Sequence, residues 1–97
     1  MVQVNWTIQA VSDLRNIADY ISRDSNNYAK LQVIRIKTRS QILREYPNSG
    51  QVVPEIGSYQ IRQLIEGNYR IIYKVVSPNQ VDILTIYHSA RKLRKVE

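Results

Sequence analysis

The chain has 97 residues, 43% hydrophobic and 23% charged, a composition that argues against a disordered or low-complexity segment and fits one small domain spanning residues 1–97. With no cysteine and a single histidine, His88, it excludes disulfides, thiolate metal sites and multi-histidine metal centres, so neither metal nor cofactor is expected. Fourteen Lys and Arg against eight Asp and Glu give a net charge of +6, which suits an acidic partner such as nucleic acid or an acidic protein, or else simply aids solubility.

Residues 2 to 6 alternate apolar and polar with period two, as a short strand does. Thr7 is a suitable helix N-cap, and Ala10, Leu14, Ile17, Ala18 and Ile21 share one side of a helix predicted from about Thr7 to Arg23. The turn cluster Asp24-Ser25-Asn26-Asn27 reverses the chain into a second helix from about Tyr28 to Tyr46, which Pro47 ends, giving an antiparallel helical hairpin. Two apolar stripes run along the second helix: Ala29, Val33, Ile36, Ser40 and Leu43 on one face, Leu31, Ile34, Thr38 and Ile42 opposite. Either the helix is wedged between two layers, the more common arrangement, or the second stripe is an exposed patch awaiting a partner. Lys30, Lys37 and Arg44 line a third side, as in a solvated face.

Pro47 to Ser58 holds two of the three prolines and two of the three glycines and is predicted to be a loop. Three strands follow, Tyr59 to Ile65, Tyr69 to Val76 and Val81 to His88, as an antiparallel meander, and Ser89 to Glu97 forms a basic tail with Arg91, Lys92, Arg94 and Lys95. The predicted fold is α+β, in the order β-α-α-β-β-β, with the helical hairpin packed on a small antiparallel sheet. No window resembles a membrane span and the N-terminal residues lack the pattern of a leader peptide, so a cytosolic protein without a membrane partner is expected.

With a three-residue loop at Glu66-Gly67-Asn68, Ile61, Ile65, Tyr69, Ile71, Tyr73 and Val75 would face the helices and leave Arg62 and Arg70 together on the other face. Such a pair suits a phosphate or carboxylate clamp; alternatively each arginine solubilises the sheet or pairs with Glu55 or Glu66. His88 closes the last strand and is a candidate general acid or base, or a structural residue. An even loop at Ser77 to Gln80 puts Tyr87 rather than His88 on the arginine face. Glu55, in the loop before the sheet, is the carboxylate placed to serve as a base, or is merely solvated.

Trp6-Thr7, Ala10, Asp13-Leu14, Ile17, Tyr20-Ile21, Tyr46-Pro47, Gly50, Val53-Pro54-Glu55, Ile61-Arg62, Tyr69-Arg70-Ile71-Ile72-Tyr73 and Asp82-Ile83-Leu84, leading to His88 and Arg91, together resemble the RelE/ParE superfamily of toxins from type II toxin–antitoxin, or plasmid stabilisation, modules. The resemblance covers nearly the whole chain. It implies a small basic toxin neutralised by a cognate acidic antitoxin, for which Leu31, Ile34 and Ile42 are the candidate contacts.

Within that superfamily, ParE-like members poison DNA gyrase, whereas RelE-like members cut messenger RNA on the ribosome. The Tyr-Arg-Ile-Ile-Tyr strand and the His-Ser-Ala-Arg-Lys-Leu ending resemble the ParE branch, and no Lys lies between Lys37 and Lys74 to supply a RelE-like lysine cluster. Gyrase poisoning is therefore the first expectation, with Arg62, Arg70, Arg91, Lys92 and Arg94 as contact residues. The alternative is a YoeB-like, metal-independent ribonuclease. Glu55, Arg70 and His88 match its glutamate, arginine and histidine, Arg62 matches a further basic position, and Ser89 stands where those enzymes carry a tyrosine. In that case Glu55 or His88 would deprotonate the 2′-hydroxyl, His88 would protonate the leaving 5′-oxygen, and the arginines would stabilise charge on phosphorus. A third possibility is a degenerate fold kept only as a non-toxic binding module.

Overall fold

Thr7 ends the first strand and begins the first helix in the same residue. Its hydroxyl oxygen accepts the Ala10 N–H at 3.1 Å and its hydroxyl donates to the Ile83 carbonyl at 2.7 Å, so the helix start is tied to the last strand. In this computed structural model, which describes residues 1–89, the elements are β1 (Gln3–Trp6), α1 (Ile8–Ser22), α2 (Asn26–Ser40), a 3₁₀ turn (Gln41–Arg44), β2 (Gln51–Val52), β3 (Ile61–Glu66), β4 (Tyr69–Ser77) and β5 (Gln80–His88). Ser25 caps α2 by accepting the Tyr28 N–H at 3.1 Å. Arg91, Lys92 and Arg94 lie outside the described residues. No helix among those described is long and apolar enough to cross a membrane.

The sheet order is β1-β5-β4-β3-β2. Three of its pairings are antiparallel, but β1 runs parallel to β5, from Gln3 beside Gln80 to Trp6 beside Ile83. The sheet is therefore mixed, which corrects the expectation of an antiparallel one. A period-two pattern fixes which side chains face the core but not the direction of the neighbouring strand.

The core lies between helices and sheet. Ala10 and Leu14 of α1, with Ile36 and Leu43, pack on Leu64, Ile71, Tyr73, Val81, Ile83 and Ile86. On the opposite face Val53 packs on Ile61 and Ile72, flanked by Ile56, Leu84 and Tyr87, so the loop before β3 forms a second, smaller core. That loop, rather than α2, covers the far side of the sheet. On α2, Ala29, Gln32, Ile36 and Ser40 are buried, while Leu31 and Ile34, and Ile42 in the 3₁₀ turn that follows, remain 41%, 59% and 38% exposed. The wedged arrangement is thus replaced by its alternative, an exposed second stripe.

The β3–β4 hairpin also departs from expectation. Glu66 pairs with Tyr69 across a two-residue turn, Gly67-Asn68, in which Gly67 takes φ +56° as the first central residue of a II′ turn requires. One residue fewer in the loop flips the faces of β3 relative to β4. Tyr69, Ile71, Tyr73 and Val75 do face the helices, but Ile61 joins the second core and Ile65 is exposed. Arg62 stands opposite Tyr73, on the helix side, and Arg70 opposite Ile65, on the other side.

Candidate functional site

Arg70 projects from β4 on the sheet face away from the helices. Its Nη1 and Nη2 donate to the two carboxylate oxygens of Glu55 at 2.7 and 3.0 Å, and its Nε donates to Gln63 Oε1 at 2.6 Å. The Arg70 side chain is nine-tenths buried, whereas that of Glu55 keeps 39% of its exposure. Glu55 is held there by a tight turn in which the Ile56 and Gly57 N–H groups both donate to the carbonyl of Val53, itself buried in the second core. Gly57, at φ +71°, allows the backbone to close this turn.

The consequence for acid–base chemistry is direct. Hydrogen bonding to Arg70, supported by a backbone hydrogen bond and opposed by partial burial, holds the Glu55 carboxyl down at about 2. A carboxylate so stabilised is a weak proton acceptor near neutrality. Three of the Arg70 N–H groups are already committed within the protein, and Tyr87 is its cross-strand neighbour on β5.

Arg62 does different work. Its Nη1 donates to the carbonyls of Gly50 at 2.8 Å and Asn48 at 3.3 Å, and the Tyr59 ring lies 4.5 Å from its guanidinium carbon. It therefore pins the loop after the 3₁₀ turn onto β3. The expectation that Arg62 and Arg70 form one clamp is corrected, because the hairpin register sends them to opposite faces. Beside Arg62, the Gly50 N–H donates to the buried Tyr73 hydroxyl at 2.9 Å. Burial pushes the Tyr73 phenol up, against the lowering effect of the Gly50 N–H, Arg62 and Arg39.

His88 ends β5 opposite Tyr69, with the two rings edge to face at 5.3 Å between centroids. Both line an open cleft of about 770 Å³ beside α1, together with Asp13, Asn16, Tyr20 and Thr85. Because successive strand residues alternate faces, His88 lies on the face opposite to Tyr87 and Arg70. The structure thus brings Glu55 and Arg70 together and directs His88 elsewhere. Among the described residues, no group of three or more His, Asp or Glu side chains has the geometry to hold a metal ion.

Two residues that sequence reasoning did not assign complete this region. Gln63 receives the Arg70 Nε, and its only sequence signal is its place two residues before Ile65 on a predicted strand. Asp13 accepts hydrogen bonds from the Thr85 hydroxyl and from the Ile86 N–H at 3.2 Å, latching α1 to β5 where the strand is irregular. An acidic residue beside the core positions Ala10 and Leu14 was the available signal.

A family model described as the ParE toxin of the type II toxin–antitoxin system parDE matches residues 4–93. The chain belongs to that toxin family. Toxin RelE2 of Caulobacter vibrioides is 35% identical over 91 residues, covering 94% of this chain and 99% of the relative. Y4kP of Sinorhizobium fredii is 33% identical over 94 residues, covering 97% of this chain and 95% of the relative. A solved chain from the chromosomal ParDE TA system from P. aeruginosa superposes with a TM-score of 0.75 at 25% identity, over 91% of this chain and 96% of that one. The α+β fold and the type II toxin class expected from the sequence are those of this ParE-family chain.

Proposed function

We propose that this ParE-family toxin acts in the cytosol by arresting DNA gyrase and is neutralised by a cognate acidic antitoxin. The observation that carries the reading is the closed Glu55–Arg70–Gln63 group on one sheet face, with His88 on the other. Metal-independent RNA cleavage needs a base at the 2′-hydroxyl, an acid at the leaving oxygen and a cation at phosphorus, all within the span of one phosphodiester. Held well below the ordinary carboxylate range by its hydrogen bonds to Arg70, Glu55 is a poor match for a base working near pH 7. A gyrase inhibitor needs no such convergence, only a contact surface, to which Arg91, Lys92 and Arg94 contribute in this reading.

The second reading, a ribosome-dependent messenger RNA endonuclease, is favoured by the His88-lined cleft and by the relative named RelE2. Purified protein distinguishes the two. Inhibition of gyrase supercoiling, retained in His88→Gln, supports the first. Ribosome-dependent cleavage lost in both Arg70→Ala and His88→Gln, with gyrase unaffected, supports the second. Absence of both activities from folded protein points to a non-toxic binding module.

A further inference from the structure

The outer edge of β1 is open, and its chemistry is unlike that of the rest of the molecule. β1 is the terminal strand of the sheet, and the Gln3 and Thr7 N–H groups donate to the Asn79 and Ile83 carbonyls at 2.9 and 3.2 Å. Alternation therefore turns the N–H and C=O groups of Val2, Val4 and Trp6 off the sheet. The Arg44 carbonyl takes up the Val2 N–H at 3.0 Å, and among the described residues nothing takes up those of Val4 and Trp6. The strand carries none of the proline, charge or bulge that usually blunts a free edge. No charged side chain occurs from Met1 to Ser12 in a chain of net charge +6, whereas Met1 and Ile8, beyond the two ends of β1, are 94% and 90% exposed.

We propose that this edge pairs antiparallel with β1 of a second copy of the chain, joining two five-stranded sheets into one across a two-fold axis. With the axis at Asn5, Val4 of each copy exchanges both backbone hydrogen bonds with Trp6 of the other, and every open group is used. Other registers leave Val4 or Trp6 incompletely paired. Val4 then stands across from Trp6 on the helix side, an aromatic and β-branched pair that favours strand association. The pair sits at a depression of about 70 Å³ lined by Val4, Trp6, Ser40, Gln41 and Arg44. Charge selects the occupant. A chain of net charge +6 repels its copy wherever cations meet, and residues 1–12 offer a surface where they do not. Arg44, held at the Val2 end, is carried by the two-fold axis to opposite ends of the paired strands. An acidic peptide or a nucleic acid would find no cationic side chain among residues 1–12. The pairing does not depend on which target the toxin attacks.

A contact between two short strands is small, so the dimer should be weak, with a dissociation constant on the order of 10 μM. Sedimentation equilibrium of the purified full chain should show monomer passing to dimer across the micromolar range. Val4→Pro, which the fold tolerates because the Val4 N–H points off the sheet, deletes two hydrogen bonds from the dimer and should weaken it about 30-fold. The chain has no cysteine of its own, so Asn5→Cys supplies a single thiol at the axis. It should crosslink under mild oxidation, since opposed residues of a non-hydrogen-bonded pair have Cα atoms about 4.5 Å apart. Gln51→Cys, on the other edge of the sheet, should not crosslink. Amide exchange at Val4 and Trp6 of the unmodified chain should slow as its concentration rises, a readout independent of whether any variant folds. A chain that stays monomeric across that range overturns the proposal. So does a dimer that forms without an Asn5→Cys crosslink and with unchanged exchange at Val4 and Trp6, or one that folded Val4→Pro protein forms undiminished.

Discussion

Replacing Gly50 by alanine should be the most damaging single-methyl change in the molecule. A Cβ at this position would lie 2.5 Å from Tyr73 Oη, 2.8 Å from Tyr73 Cε1 and 2.6 Å from the Gln63 carbonyl oxygen, well inside van der Waals contact. Neither neighbour can yield easily. Tyr73 is fully buried in the main core, and Gln63 belongs to β3, paired to β2 on one side and β4 on the other. Overpacking of this kind costs about 1–3 kcal/mol. Displacing the ring also breaks the 2.9 Å hydrogen bond from the Gly50 N–H to Tyr73 and strands a buried hydroxyl, for about 1–3 kcal/mol more. The sum, roughly 2–6 kcal/mol, is a large part of the roughly 5–15 kcal/mol available to a small domain and should lower Tm by about 10–45 °C. Thermal melts followed by circular dichroism measure this. The double variant Gly50→Ala, Tyr73→Phe should lose less than the sum of its parts, because removing the hydroxyl relieves the closest contact. A Gly50→Ala protein melting within a few degrees of the parent would refute the reasoning.

Other perturbations test the same account elsewhere. Because Arg70 holds the Glu55 carboxyl at about 2, below its ordinary 4.5, the ion pair's contribution should be complete above pH 4.5 and disappear as pH falls toward 2; melts of Glu55→Gln should lack that segment of acid sensitivity. With Glu55 more than a third exposed, a double-mutant cycle between Glu55→Gln and Arg70→Gln should return a coupling of no more than about 1 kcal/mol in physiological salt. Thr7→Ala removes both the α1 cap and its tie to Ile83, and urea unfolding should show a loss of about 1–2 kcal/mol with an unchanged slope. Asp13→Ala should cost about 1–3 kcal/mol by leaving the Ile86 N–H and Thr85 hydroxyl without their acceptor, with hydrogen exchange at Ile86 accelerating first.

Much of this molecule is legible from sequence because its helices carry local signals. Thr7 and the Asp24–Asn27 cluster mark where helices begin and end, and the Ala10–Ile21 and Ala29–Leu43 spacings identify the core faces. The sheet is less legible, since strand faces depend on single-residue differences in turn length. Glu66-Gly67-Asn68 suits a three-residue loop and Gly67-Asn68 a two-residue one. The difference moves Arg62 from beside Arg70 to beside Tyr73. Glu55 and Arg70 stand out as candidates in the sequence, but their closed pairing depends on how Val53 anchors the loop, a tertiary contact without a local signature. The parallel β1–β5 pairing is invisible for the same reason, whereas the outer stripe of α2 is legible in the spacing and only its exposure required the fold.

The most direct test of the account is induced expression in a bacterial host, with messenger RNA 5′-ends mapped and plasmid topology followed in the same culture. The gyrase reading predicts relaxed or broken DNA with messages intact in the first minutes, and the same phenotype in His88→Gln. New ribosome-dependent cuts in messenger RNA within minutes, with supercoiling unchanged and the cuts lost in His88→Gln, would contradict it.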